Sequence, residues 1–218
     1  MQRHRVSVSD LAYEALKQSI IEFHYFPGQA LREEQLTEEI AVSRTPLRQA
    51  LYRLELEGLI VKKANGRMEV QKLSIEEAVD IFTVREALEG LVAKEAAVRA
   101  SPEATAEMKE ALLHMAEAGE RFTSITYGSR FHHLLYEHAS PTAVQFLNQL
   151  NTRLERYRRL SGYRHPDYTI ATPLSEHEKI LSAIERKDGP AAEHYMRAHI
   201  RRSLASTKET LELHISSF

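Results

Sequence analysis

The chain has 218 residues, a formal net charge of -2, 43% hydrophobic and 28% charged side chains, and no cysteine. The missing cysteines exclude disulfides, thiolate metal sites and thiol nucleophiles, and the mixed charge argues against a disordered chain. With the whole chain slightly acidic, any nucleic-acid contact must come from a local basic face. No stretch approaches a membrane-spanning length and the N-terminus lacks an apolar signal core, so a soluble cytoplasmic protein with no membrane partner is expected.

In chain order, Leu11, Ala15, Ile20 and Phe23 repeat at helical intervals and predict a first amphipathic helix, ended by Phe26-Pro27-Gly28. Glu33 to Ile40 predicts a short second helix with Leu36 and Ile40 facing inward. Ala41-Val42-Ser43 is a tight connection to a third helix, Arg44 to Glu57, capped by Ser43 or Thr45, with Pro46 in its first turn and Gly58 after its end. Leu47, Leu51 and Leu54 form its apolar stripe. Leu59 to Lys63 and Arg67 to Gln71 predict two strands, and Asn65-Gly66 between them is the signal of a type I′ hairpin, which needs positive φ twice.

Basic charge is concentrated here. Residues 44–72 hold 7 Lys/Arg against 3 Asp/Glu. A DNA-reading helix needs an exposed N-terminal end, side chains that reach phosphates or base edges, and an apolar underside. Arg44 and Arg48 are four apart and share one face. Arginine can donate twice to a guanine edge or clamp a phosphate. The hydroxyls of Ser43 and Thr45, with the free N–H groups of a helix start, suit phosphate oxygens. Lys62, Lys63 and Arg67 flank the hairpin. The expected order is that of a winged helix-turn-helix in residues 1–73, with double-stranded operator DNA as the partner.

Beyond Leu73 the pattern is helical: Ser74 to Ala100, Pro102 to Gly119, Arg121 to Ala139, Pro141 to Tyr163, Leu174 to Lys187 and Pro190 to His214. Residues 74–218 are therefore expected to form an antiparallel helical bundle for effector binding and dimerisation. His132, His177 and His199 fall in the middles of three different helices, each near apolar neighbours. A bundle can bring such side chains to one interior point, where imidazole suits several divalent metals; separately, they are ordinary structural histidines. Arg85 is either the partner of an effector carboxylate or of a nearby acid, Glu86 or Glu89. Arg153, Arg156, Arg158 and Arg159 form a charge run around Tyr157 of the kind that is usually a solvated face.

Val42 to Ile60, VSRTPLRQALYRLELEGLI, with Leu31, Glu34, Leu36 and the Gly66 wing, resembles the GntR family of regulators. That resemblance implies DNA contacts at Ser43, Arg44, Thr45, Pro46, Arg48 and Gly66. A fatty-acid-responsive branch of the family has arginine early in the second helix where this chain has Glu34. The C-terminal part resembles the FCD ligand-binding domain of the FadR subfamily, through Arg85 with Leu88-Glu89, Phe131-His132 with Leu135, Glu176-His177 with Ile180 and Ile184, and His199. Length and the six-helix pattern favour its VanR-like branch. The resemblance implies a homodimeric repressor that answers a small carboxylate effector, with a divalent metal (Zn, Ni or similar) on His132, His177 and His199. The family's aspartate ligand corresponds to Gly128, which supplies no ligand atom. The site is then three histidines plus water or effector, or a metal-free pocket in which the histidines meet the anion directly. An enzyme is not expected: no nucleophile motif, phosphate loop or distinct general base accompanies the histidines.

Overall fold

The computed structural model describes residues 7–164 and 169–214, without the side chains of 161–164 and 214. The chain divides into two compact units that part between Leu73 and Ser74. The first is a winged helix-turn-helix and the second a helical bundle.

Helix α1 (Val8–Ile21) starts at a capping box, in which the Ser7 hydroxyl accepts from the Asp10 N–H and the Asp10 carboxylate accepts from the Ser7 N–H. Its buried face is Ala12, Tyr13, Leu16 and Ile20. Leu11 and Ala15, which the periodicity placed inward, face solvent, and Phe23 lies past the helix end with φ 59°. The true stripe runs one residue later because a tyrosine is part of it. The Tyr13 hydroxyl donates to Glu57 Oε1 at 2.5 Å, and Arg53 lies over the ring while pairing with Asp10 at 2.6 Å. These contacts tie α1 to the end of α3.

After α1 comes β1 (Ala30–Leu31), two residues too short to show a period of their own. Helix α2 (Glu33–Ile40) ends at Ala41 in the left-handed conformation, φ 56°, and the chain turns straight into α3 (Arg44–Leu56). Ser43 holds the N-cap position of α3, but its hydroxyl makes no capping bond. Leu47, Ala50, Leu51 and Leu54 face the core with Leu36, Leu59, Ile60 and Val70. Strands β2 (Ile60–Lys62) and β3 (Met68–Val70) pair antiparallel with Val61 opposite Glu69, and β1 adds to the other edge of β3. Their hairpin is not type I′. Neither Ala64 nor Asn65 has positive φ, the Gly66 N–H donates to the Lys63 carbonyl, and Gly66 alone is left-handed at φ 81°. This is a three-residue loop: an ordinary turn closed by a glycine, with the Asn65 side chain accepting from the Arg67 N–H.

The bundle consists of α4 (Ile75–Arg99), α5 (Pro102–Glu117), α6 (Arg121–Tyr136), α7 (Pro141–Arg164), α8 (Ala171–Glu185) and α9 (Gly189–His214). Ser74 caps α4 and Ser101 caps α5, where Pro102 takes a first-turn position whose N–H would be unpaired anyway. Helix α8 begins three residues before the expected Leu174, because Pro173 fits its first turn rather than preceding it. The arginine run on α7 is not a solvated face. Arg156 is 1% exposed, Tyr157 is buried, and Arg158 lines a cavity. The Tyr157 hydroxyl accepts from the Ser74 N–H at 3.3 Å and lies 2.8 Å from Glu77 Oε2, so α7 is fastened to the first turn of α4. Among the described residues, no helix is long and apolar enough to cross a membrane.

Candidate functional site: a buried histidine cluster and an exposed recognition helix

His132 from α6, His177 from α8 and His199 from α9 meet inside the bundle, all three buried. The Nε2 atoms of His132 and His177 are 3.2 Å apart, and those of His177 and His199 are 3.3 Å apart. Their other nitrogens are treated unequally. The His132 Nδ1–H donates to Glu89 Oε2 at 2.9 Å, and the His199 Nδ1–H donates to Glu176 Oε2 at 2.8 Å. Each carboxylate fixes the tautomer and leaves the Nε2 lone pair aimed at the cluster centre. His177 Nδ1 is buried with no hydrogen-bond partner among the described residues.

Burial pushes all three imidazoles below their ordinary pKa, most strongly His177 and His199, so they are neutral near pH 7. Burial opposes the charge on Glu89, but His132 and Arg85 outweigh it and hold this carboxyl well below the usual range. Glu89 Oε1 also accepts from the Tyr136 hydroxyl at 2.9 Å and from Arg85 Nε at 3.2 Å. Burial pushes the Glu176 carboxyl up, against the pull of Arg202.

The Nε2 lone pairs of His132 and His199 both face the Nε2 of His177, which can donate a proton to only one of them, whereas a shared cation would satisfy all three. Tetrahedral ligands about 2.0–2.1 Å from a zinc ion lie roughly 3.3 Å apart, which matches the two Nε2 separations. The residues present therefore fit a divalent ion, and carboxylates stand behind two of the three imidazoles. Gly128 lies beside this centre. A Cβ built on it would sit 3.4 Å from His177 Cε1 and 3.5 Å from Met115 Sδ, ordinary contacts that admit a Cβ. Next to the histidines is a cavity of about 390 Å³, lined by Arg85, Gly128, Arg158, Arg202 and all three imidazoles, among others. Tyr127, beside Gly128 in the chain, stacks on His114 with ring centroids 5.0 Å apart.

Glu89 and Glu176 were visible in the sequence only as the neighbours of Arg85 and His177. The signal that could have singled out Glu89 is its position four residues after Arg85, on the same helical face.

In the first unit, Ser43, Arg44, Thr45 and Arg48 are exposed together at the start of α3, with Pro46 half-buried beneath them and Gly66 exposed at the wing tip. Arg48 is not free: its Nε donates to both oxygens of Glu33 on α2.

Two family models account for these units. The model described as "Bacterial regulatory proteins, gntR family" matches residues 9–70, and the FCD domain matches residues 80–202. The chain is 26% identical over 204 residues to the HTH-type transcriptional regulator YdhC of Bacillus subtilis, covering 92% of this chain and 91% of that one. It is 27% identical over 209 residues to the HTH-type transcriptional repressor RspR of Escherichia coli, covering 93% and 90%. Among solved structures, McbR/YncC of E. coli shares the fold with a TM-score of 0.74 at 22% identity, over 94% of this chain and 99% of that one. The chain belongs to the GntR family of bacterial regulatory proteins, in the FadR-like subfamily that carries an FCD domain. It is a DNA-binding transcription regulator, of a family that is not enzymatic.

Proposed function

We propose that the protein is a ligand-responsive repressor in which residues 1–73 bind operator DNA and residues 74–218 bind a small organic acid and dimerise. Repression is carried over from relatives named as repressors, RspR and GlaR of E. coli. The cytoplasm, where operator DNA lies, and the VanR-like branch complete the reading. Ser43, Arg44, Thr45, Pro46, Arg48 and Gly66 are the proposed DNA contacts. Arg44 is exposed at the helix start, where its guanidinium can reach a base edge or a phosphate. A homodimer supplies two such helices to a pseudo-palindromic site.

The observation that carries the sensing role is the convergence of three neutral histidines on one wall of the cavity. His132, His177 and His199 would hold a divalent ion such as Zn or Ni. The bound ion supplies positive charge and an open coordination position for a carboxylate oxygen. Arg85 adds a second hold. Its Nε is occupied by Glu89, which leaves the terminal amino groups of the guanidinium for the cavity. Effector binding alters DNA affinity only to the extent that it differs between DNA-competent and incompetent states.

Elemental analysis of untagged protein purified without chelator, beside His132→Ala, tests the metal. About one ion per chain, lost in the variant, supports the cluster as its site. No ion in either protein, even after loading with zinc or nickel, refutes the metal and leaves a direct anion pocket.

A further inference from the structure

Three guanidiniums stand in the cavity wall, and they differ in how well each is neutralised. Arg202 pairs with Glu176 at 2.5 Å and Arg85 with Glu89 at 3.2 Å. The Arg158 ion pair with Glu155 is 3.8 Å long, and Glu155 meets Arg159 more closely at 3.0 Å. Yet the Arg158 side chain is only 13% exposed. Glu89 and Glu176 are further occupied by the Nδ1–H groups of His132 and His199. The cavity therefore holds a largely buried cation whose ion pair is the longest of the three and shared with Arg159, on a different helix from every histidine.

We infer that the ligand of this cavity is a small dicarboxylate, with one carboxylate at the histidine cluster and the other on the Arg158 guanidinium. This rests on reading the cavity as the effector site. A monocarboxylate can satisfy the cluster and Arg85 but leaves Arg158 with only the long ion pair to Glu155, which Glu155 shares with Arg159. A dicarboxylate satisfies both ends, and the planar fork of arginine suits the second carboxylate. The two arginines also feel each other. Burial, then the charge of Arg158, disfavours the protonated form of Arg85, and an anion placed between them relieves that repulsion. The cavity size falls within the range of small-ligand pockets.

The test is calorimetric titration of the full-length protein with malonate, succinate and glutarate, each against the monocarboxylate of equal carbon number: propionate, butyrate and valerate. Wild type, Arg158→Gln and Arg158→Lys are compared, with metal content and thermal midpoint measured for each. The expected result is at least one diacid bound about tenfold or more tightly than its monoacid in wild type. That preference collapses in Arg158→Gln, is partly kept in Arg158→Lys, and metal content is unchanged. A diacid preference that survives Arg158→Gln, or monoacids that bind as well as diacids, overturns the Arg158 anchor and leaves the carboxylate site standing. Failure of every acid in both series overturns the carboxylate site itself, and the inference with it.

Discussion

Glu33 grips Arg48 across the helix-turn-helix, its two carboxylate oxygens 3.0 and 3.2 Å from the guanidinium Nε. The pair is exposed, so its direct contribution to stability is small. Its effect is on what Arg48 can reach. Glu33→Gln should strengthen binding to random-sequence duplex severalfold and steepen the salt dependence by about 0.9 in log–log slope, as one more phosphate contact becomes available. Glu34→Gln removes the same charge from an exposed neighbour and serves as control. Equal behaviour of the two variants in a salt-dependent anisotropy titration would show that the ion pair restrains nothing.

Gly128 offers a gain-of-function test of the proposed metal site. A Cβ there makes only ordinary contacts, one of them with the His177 ring. Gly128→Asp should add a carboxylate to the three imidazoles and raise zinc affinity by roughly an order of magnitude or more, read by competition with a chromogenic chelator. Unchanged affinity in a folded variant would place the ion, or its absence, elsewhere.

Acid should destabilise the chelator-treated protein through the same histidines. Their folded-state pKa values lie below the ordinary 6.5, so the unfolded chain binds more protons as pH falls past that value. Stability is fully present above about pH 6.5 and is lost as pH drops toward the lower folded-state values. Thermal midpoints between pH 7 and 5 should fall less steeply in a variant with all three histidines replaced by glutamine. Parallel curves would show that the imidazoles take up protons as readily in the folded protein as in the unfolded chain.

Tyr157→Phe removes the hydroxyl that joins α7 to Ser74 and Glu77. Loss of this partly buried hydrogen bond should cost about 1–2 kcal/mol in urea unfolding. The Arg153–Glu77 ion pair, at 3.1 Å, remains and limits the loss. A change near zero would mean that water replaces the hydroxyl.

At the wing, Gly66→Ala meets no steric obstacle but keeps a left-handed φ of 81° that disfavours a Cβ. It should destabilise the hairpin by about 1 kcal/mol. Hydrogen exchange of the Lys63 and Arg67 amides would report the loosening directly, and unchanged protection would contradict it.

The sequence made α3, its leucine stripe and the hairpin legible because each is a local pattern: a period near 3.6, a proline in the first turn, a glycine where the chain reverses. It misplaced the inner face of α1, since Tyr13 is buried for its hydroxyl's bond to Glu57, 44 residues away. It chose the wrong turn type at Asn65-Gly66, because two-residue and three-residue loops share that dipeptide. The three histidines stand in the sequence as separate mid-helix residues that a bundle allows to meet, and the resemblance adds weight to that meeting. Their carboxylate partners, the Glu33–Arg48 pair and the burial of Arg156 depend on how distant helices cross, which no local period encodes.

Helix α4 has one property that its length alone confers. Ser74 at its start and Glu89 behind the histidines are fifteen residues apart on one uninterrupted helix. At 1.5 Å per residue this is a stiff arm of about 22 Å, so a tilt of roughly 5° about the Glu89 end carries Ser74 through about 2 Å. Any such tilt about the Glu89 end would be larger at Ser74, where the chain passes to its DNA-binding unit, and would act on the Tyr157 contacts there.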